Sequence, residues 1–302
     1  MSEVKDAGAL NTFIAKRIEW FSWYDSNASE PNAIQNQIHQ MLVSEMSYRV
    51  LIEEQKLLQK DDFSNIPVLT HLLNSGYYAS QILAIRRLFD QAPKGDVLSL
   101  SRVLNDIKKH QYLFTREIFV SFDGTPYDPV PPESIVPGLQ PQDSPFSMFI
   151  RSKHRHERFD LLSKVSFDKS SRFDRIHIDI FNRLDDWLNA SGAQRLVKLS
   201  HKYIAHAADQ HSRRKIKITG LDFAEVESVQ KVIVRVSRAI FDIILNSGVH
   251  SQVVPMIPLD FFGKGWDGKA IVLSTARMKK QWDELASDRN SWPNNLEIDL
   301  CN

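Results

Sequence analysis

Apolar side chains recur every three or four residues along most of this 302-residue chain, the period of helices that bury one face. Leu10, Phe13, Ile14, Ile18 and Phe21 form the first stripe, thickened by Trp20, Trp23 and Tyr24. They predict a short helix over about 9–24 that caps a bundle. Ser29, Glu30 and Pro31 then signal a helix start, and Ile34, Ile38, Met41, Leu42, Val50, Leu51 and Leu58 carry a long helix to about residue 60. Ser64 and Pro67 repeat the signal for a second long helix through Leu72, Leu73, Tyr78, Ile82, Ile85, Leu88 and Phe89. Gln-Ala-Pro-Lys-Gly breaks it, and a fourth helix is expected over about 97–114.

The texture changes over 120–146, where seven of the thirteen prolines fall, so a loop laid over the bundle is expected there. Helical periodicity resumes over about 147–166 and again from Ile176 to Leu188, stopped by Ser191-Gly192. A further helix is read over 195–209. Asp222 and Glu225 then form a capping-box start for the most apolar helix, through Val226, Val229, Ile233, Val236, Ile240 and Ile244. The tail over 248–302 carries prolines and glycines, a β-like run over 270–274 and a possible helix near 276–286. The expectation is an all-α, multi-helix up-down bundle over 1–247, interrupted by the proline-rich insert, with a small irregular C-terminal appendix over 248–302 packed on it.

With 42% hydrophobic residues the chain can bury a sizeable core. Its net charge of +1 does not identify a partner, but the distribution of charge is uneven. Between 195 and 217 stand seven cations and one acid, Asp209, a local +6 that leaves −5 for the rest. A basic patch on a mildly acidic body is the form taken by a phosphate-binding surface. The segment 151–158, with four cations, two histidines and one acid, is a second basic spot. A single cysteine, Cys301, excludes a disulfide framework and a thiolate metal cluster. No stretch approaches the ~20 apolar residues of a membrane span. A soluble cytoplasmic protein with no membrane association is expected.

Chemistry concentrates in 195–209. At helical spacing Leu196, Leu199, Tyr203 and Ala207 share one stripe, while Lys202, His206 and Asp209 run along its flank. Such a flank is either a solvated surface or a site. Metal chemistry has little support: Asp174 with His177 and His206 with Asp209 are spaced as helical pairs, but the Glu-x-x-His motifs of a di-metal bundle are missing. No metal or cofactor is therefore expected. Phosphate-loop, dinucleotide-binding and nucleophile-elbow motifs are also missing. What remains is a histidine that titrates near neutrality beside cations, a combination suited to moving a proton and holding a phosphate during metal-free RNA cleavage.

Three segments resemble a HEPN domain (higher eukaryotes and prokaryotes nucleotide-binding), and most of all the branch found in bacterial abortive-infection proteins. They are Ala84-Ile-Arg-Arg-Leu-Phe-Asp90, Leu98-Ser-Leu-Ser-Arg-Val-Leu104 and Lys202-Tyr-Ile-Ala-His-Ala-Ala-Asp209. The resemblance covers about 10–247. It implies an all-α bundle, a homodimer, and a metal-independent ribonuclease site in which four to six residues separate an arginine from the histidine that follows it. His206 matches the histidine. The arginine is missing, because His201, Ser200 and Leu199 occupy the three possible positions.

The resemblance thus implies an RNA-binding protein, with metal-independent endoribonuclease activity in phage defence or as a toxin as the enzymatic form of that role. His206, Lys202 and His201 are its candidate catalytic residues. Arg195, Lys198, Asp209, Arg213, Arg214, Arg86 and Arg87 are candidates for the RNA and phosphate surface, with RNA, a second copy, and an antitoxin or defence protein as expected partners. Arg195 lies three turns before His206, about 16 Å along a helix, so it would reach the site only from a partner subunit or round a bend. Arg86 and Arg87 have another reading, as cations capping their own helix end beside Asp90. The alternative function is a non-catalytic dimerisation or interaction protein whose active site has degenerated.

Overall fold

The apolar stripes become the buried faces of helices. The computed structural model describes residues 2–25, 30–58, 67–91, 97–129, 144–201, 222–247, 252–254 and 272–302. Among them all regular structure is helical, apart from one isolated bridge between Thr115 and Arg175. The all-α bundle is the architecture observed.

Helix α1 (Ser2–Tyr24) is more than a cap, because Phe13 and Trp20 are fully buried. Trp20 stacks on Phe114 at 5.8 Å between centroids, while its indole N–H donates to Asp106 at 2.8 Å. A buried indole needs that acceptor, and Asp106 also receives Lys16 at 3.1 Å. Helices α2 (Ile34–Leu58) and α3 (Pro67–Leu88) run antiparallel. Gln55 reaches Thr70 at one end, and Gln81 donates to the Met41 carbonyl at the other.

The expected fourth helix is shorter than its stripe. Helix α4 (Leu100–Lys109) is capped by Ser99, whose hydroxyl accepts from the Arg102 amide at 3.1 Å, and a 3-10 turn, Gln111–Leu113, follows it. Helix α5 (Arg116–Ser121) is six residues long, a single short turn element that periodicity cannot register. Residues 122–129 form a loop, while 130–143 lie outside the described residues. Helix α6 (Pro145–Ser163) starts on Pro145 with Ser144 as its cap. The second basic spot falls on α6, where packing takes up Arg155 and Arg158 while Lys153 and His154 stay exposed. Arg155 is buried and meets the Val120 carbonyl and both Asp123 oxygens at 2.7 Å, and Arg158 pairs with Glu297 at 2.8 Å.

Helix α7 (Ile178–Ala190) begins at the cap His177. Asp174 and His177, spaced as a helical pair in the sequence, are therefore not on one helix, a correction to that spacing. Asp174 sits 3.4 Å from the Arg116 guanidinium, and the His177 ring accepts from the Asp179 amide at 3.3 Å. Gly192, with φ of 85°, makes the left-handed corner into α8 (Ala193–Leu199).

Helix α9 (Phe223–Arg238) is the centre of the core, continued by a π-helical turn, Ala239–Ile244. Val226, Val229, Ile233, Val236, Ala239 and Ile240 are all completely buried. Its cap is as expected, with Asp222 accepting from the Glu225 amide at 2.7 Å.

The tail differs in local structure from its sequence pattern. Val272 to Ser274, part of the β-like run, are the first turn of helix α10 (Val272–Ser291), and α11 (Leu296–Cys301) follows. Trp282, Trp292 and Leu300 bury themselves in the same core as α9. Among the described residues there is no strand for Val272 to Ser274 to pair with, and helix formation gives their backbone its hydrogen bonds instead. Among the described residues no helix is long and apolar enough to cross a membrane.

Candidate nucleic-acid interface

Helix α8 displays part of the predicted basic stretch. Ala193, Leu196 and Leu199 fill the side facing the core, Ser200 is also completely buried, and this leaves Lys198 and His201 exposed. Packing at i, i+3 and i+6 thus sets which polar groups face outward. Arg195 is half-exposed and its guanidinium pairs with the carboxylate of Glu225, in the first turn of α9. That ion pair links the start of α8 to the start of α9. Lys202, His206, Asp209, Arg213 and Arg214 lie outside the described residues.

The direction of α8 decides which other cations it meets. Ser191 and Ser228 line one cleft, and Arg195 meets Glu225, so α8 runs toward the N-terminal end of α9. At that end Phe223 packs against Tyr77 and Tyr78 of α3, with centroids 5.4 and 5.8 Å apart. Arg87 lies nine residues beyond Tyr78, about 13.5 Å up the α3 axis. Since α8 heads the opposite way, Arg86 and Arg87 are not gathered with Lys198 and His201. Arg86 is half-buried and Arg87 exposed, and neither makes an ion pair among the described residues.

A family model for AbiU2 (HEPN_AbiU2) matches residues 32–256, about three quarters of the chain. The chain belongs to the AbiU2 family of HEPN proteins. No curated protein and no solved structure matches it. The matched region opens just before α2 and runs past the end of α9, so α1, α10 and α11 lie outside it. For an AbiU2 protein the three positions that could hold a motif arginine are now defined by burial. Leu199 and Ser200 face the core, and His201 alone of the three is exposed.

A second polar cluster near this end was not anticipated from sequence. Glu45 of α2 is completely buried between Arg49 and Arg289, the latter 2.9 Å away, and Glu227 of α9 joins both guanidinia. Burial pushes the Glu45 carboxyl above the usual carboxylate range, against the pull of Arg289 and Arg49. Beside the network is a cleft of about 500 Å³, with Phe223 on its wall and the Arg49 guanidinium 5.4 Å from that ring's centre. The only trace in the sequence was the i, i+4 pair Glu45 and Arg49 inside an apolar stripe. Its third member, Arg289, arrives from 240 residues away and carries no local signal.

Proposed function

We propose that this AbiU2-family protein binds RNA through the basic surface that starts on α8, with His206 as the acid/base group if the bound RNA is cut. The observation that supports it is the amphipathic build of α8. Leu196 and Leu199 anchor the helix in the core and hold Lys198 and His201 outward at the threshold of the segment bearing Lys202, His206, Arg213 and Arg214. Cations fixed on a rigid helix give phosphate contacts without a large loss of side-chain freedom. In cleavage, His206 would take the 2′-hydroxyl proton or protonate the leaving oxygen, and a cation from Lys202 or from a second copy would stabilise the charge on phosphate. An ammonium lacks the planar fork of guanidinium and holds phosphate with less geometric control. Slow turnover is therefore expected of a site that relies on Lys202.

A second reading rests on a specific observation too. Leu199 and Ser200 are core residues, so two of the three motif positions have been given over to packing. A non-catalytic AbiU2 protein that binds RNA or a protein partner fits that arrangement. Incubation of the purified protein with structured RNA in chelator separates the readings. New 2′,3′-cyclic phosphate ends that vanish in His206→Ala establish the ribonuclease, and intact RNA with salt-sensitive binding establishes the second reading. Affinity that ignores salt, or that survives Lys198→Ala combined with Arg213→Ala unchanged, overturns the RNA surface; each lost phosphate contact should lower the salt slope by about 1.

A further inference from the structure

The outer faces of α2 and α3 form a groove of mixed polar and apolar lining away from α8, and nothing in the ribonuclease reading uses it. It consists of two cavities that share Gln37 and Arg87. One, of about 340 Å³, runs between Gln40 and Ser44 of α2 and Ser80 of α3. The other, of about 350 Å³, continues past Asn32 toward Leu98. Two unmet valences stand at the joint. Arg87 is exposed and has no ion pair or side-chain hydrogen bond among the described residues. Gln37 is only 8% exposed, and its amide nitrogen donates to the Asn32 carbonyl at 2.6 Å and the Leu98 carbonyl at 2.9 Å. Those bonds fix the amide, and its oxygen Oε1 accepts no hydrogen bond. A buried acceptor without a donor costs about 1–3 kcal/mol, so an N–H that reached it on a small shift of the Gln37 side chain would be rewarded.

The chemistry of the lining selects the occupant. A nucleic-acid strand calls for a cation per phosphate and flat rings for its bases. The described lining of both cavities holds one cation, Arg87, one acid, Glu30, and no aromatic ring. Amides and hydroxyls are what an extended peptide backbone pairs with, and an unpaired guanidinium fork matches a carboxylate. From Ser44 to Gln37 the α2 wall spans about 10.5 Å, the reach of about three extended residues. We propose that this groove binds an extended peptide segment of a partner protein, with an aspartate or glutamate side chain seated on Arg87.

Panning randomised twelve-residue displayed peptides against the full-length protein tests this. Enrichment of acidic sequences is expected, and fluorescein-labelled copies of the winners should bind about ten-fold more weakly to Arg87→Ala, the loss of a charged hydrogen bond. Ser44→Trp, which fills the groove from an exposed position, should abolish binding, whereas Lys280→Ala, an exposed α10 residue that lines neither cavity, should not change it. Both groove substitutions replace exposed side chains, and unchanged melting temperatures would show that the fold is kept. No acidic enrichment, or winners indifferent to either groove variant, overturns the proposal. So does displacement of the peptides by a single-stranded oligonucleotide that binds more tightly and loses affinity in the same variants.

Discussion

Arg116 shows how much a single side chain can be asked to hold. Its side chain is completely buried, with the guanidinium 2.5 Å from Asp160, 3.4 Å from Asp174, 3.2 Å from the Val165 carbonyl and 5.0 Å from the centre of the Phe159 ring. It ties α5 to α6 and to the segment before α7. Arg116→Met should destabilise the fold by about 3 kcal/mol in urea titrations, because Asp160 and Asp174 would then be left without their cation. A loss below ~1 kcal/mol would mean that solvent already satisfies those carboxylates. Cys301 makes a second test. Burial pushes its thiol up to about 11, with Glu297 acting in the same direction. The thiolate is the nucleophile, so alkylation by iodoacetamide at pH 8 should be far slower than for a free cysteine and keep accelerating through pH 10. A rate levelling off near pH 9 would contradict this.

At the level of elements, apolar periodicity located the long helices because each buries a continuous face. Val226 through Ile240 is the clearest case. The same signal missed α5 and α11, which are six residues long each and hold fewer than two turns. It also misread Val272 to Ser274, where β-branched and aliphatic neighbours resemble a strand until helix packing decides. Cap chemistry was more reliable than periodicity at helix ends. Asp222→Ala should cost about 1 kcal/mol by thermal unfolding, since it orphans the Glu225 amide at the start of α9. The predicted reciprocal half of that capping box has another use, with the Glu225 carboxylate paired to Arg195. One of the cations that the sequence assigned to RNA, Arg195, is thus held in an internal tie.

The whole molecule adds a pH dependence. Burial opposes ionisation of Asp123, yet Arg155 and Thr125 hold its carboxyl far below the usual carboxylate range. Asp106 is likewise lowered, with burial outweighed by Trp20 and Lys16. Both ionise at lower pH in the folded chain than in the unfolded one. Their stabilisation is therefore complete above the unfolded value of about 3.9 and is lost as pH falls through the folded ones. Glu45, which is raised, has the opposite sign and favours the folded state slightly as pH falls toward the unfolded carboxylate value. Urea stability measured from pH 5 to pH 2 should fall for the wild type and fall less steeply for Asp123→Asn. Equal slopes would remove Asp123 from the acid transition.

By itself the sequence determined the all-α class, the long helices and the family resemblance. These follow from local periodicity, caps and short motifs, and each is written within a few turns of chain. It also marked 195–217 as the basic segment, of which Arg195, Lys198 and His201 are among the described residues. Only tertiary structure decided which charges are committed elsewhere. Arg195 is held by Glu225, Arg155 and Arg158 are consumed by packing, and Arg87 lines a different groove. The reason is physical: a cation's availability depends on partners tens or hundreds of residues away, and helical periodicity carries no information about which helices become neighbours.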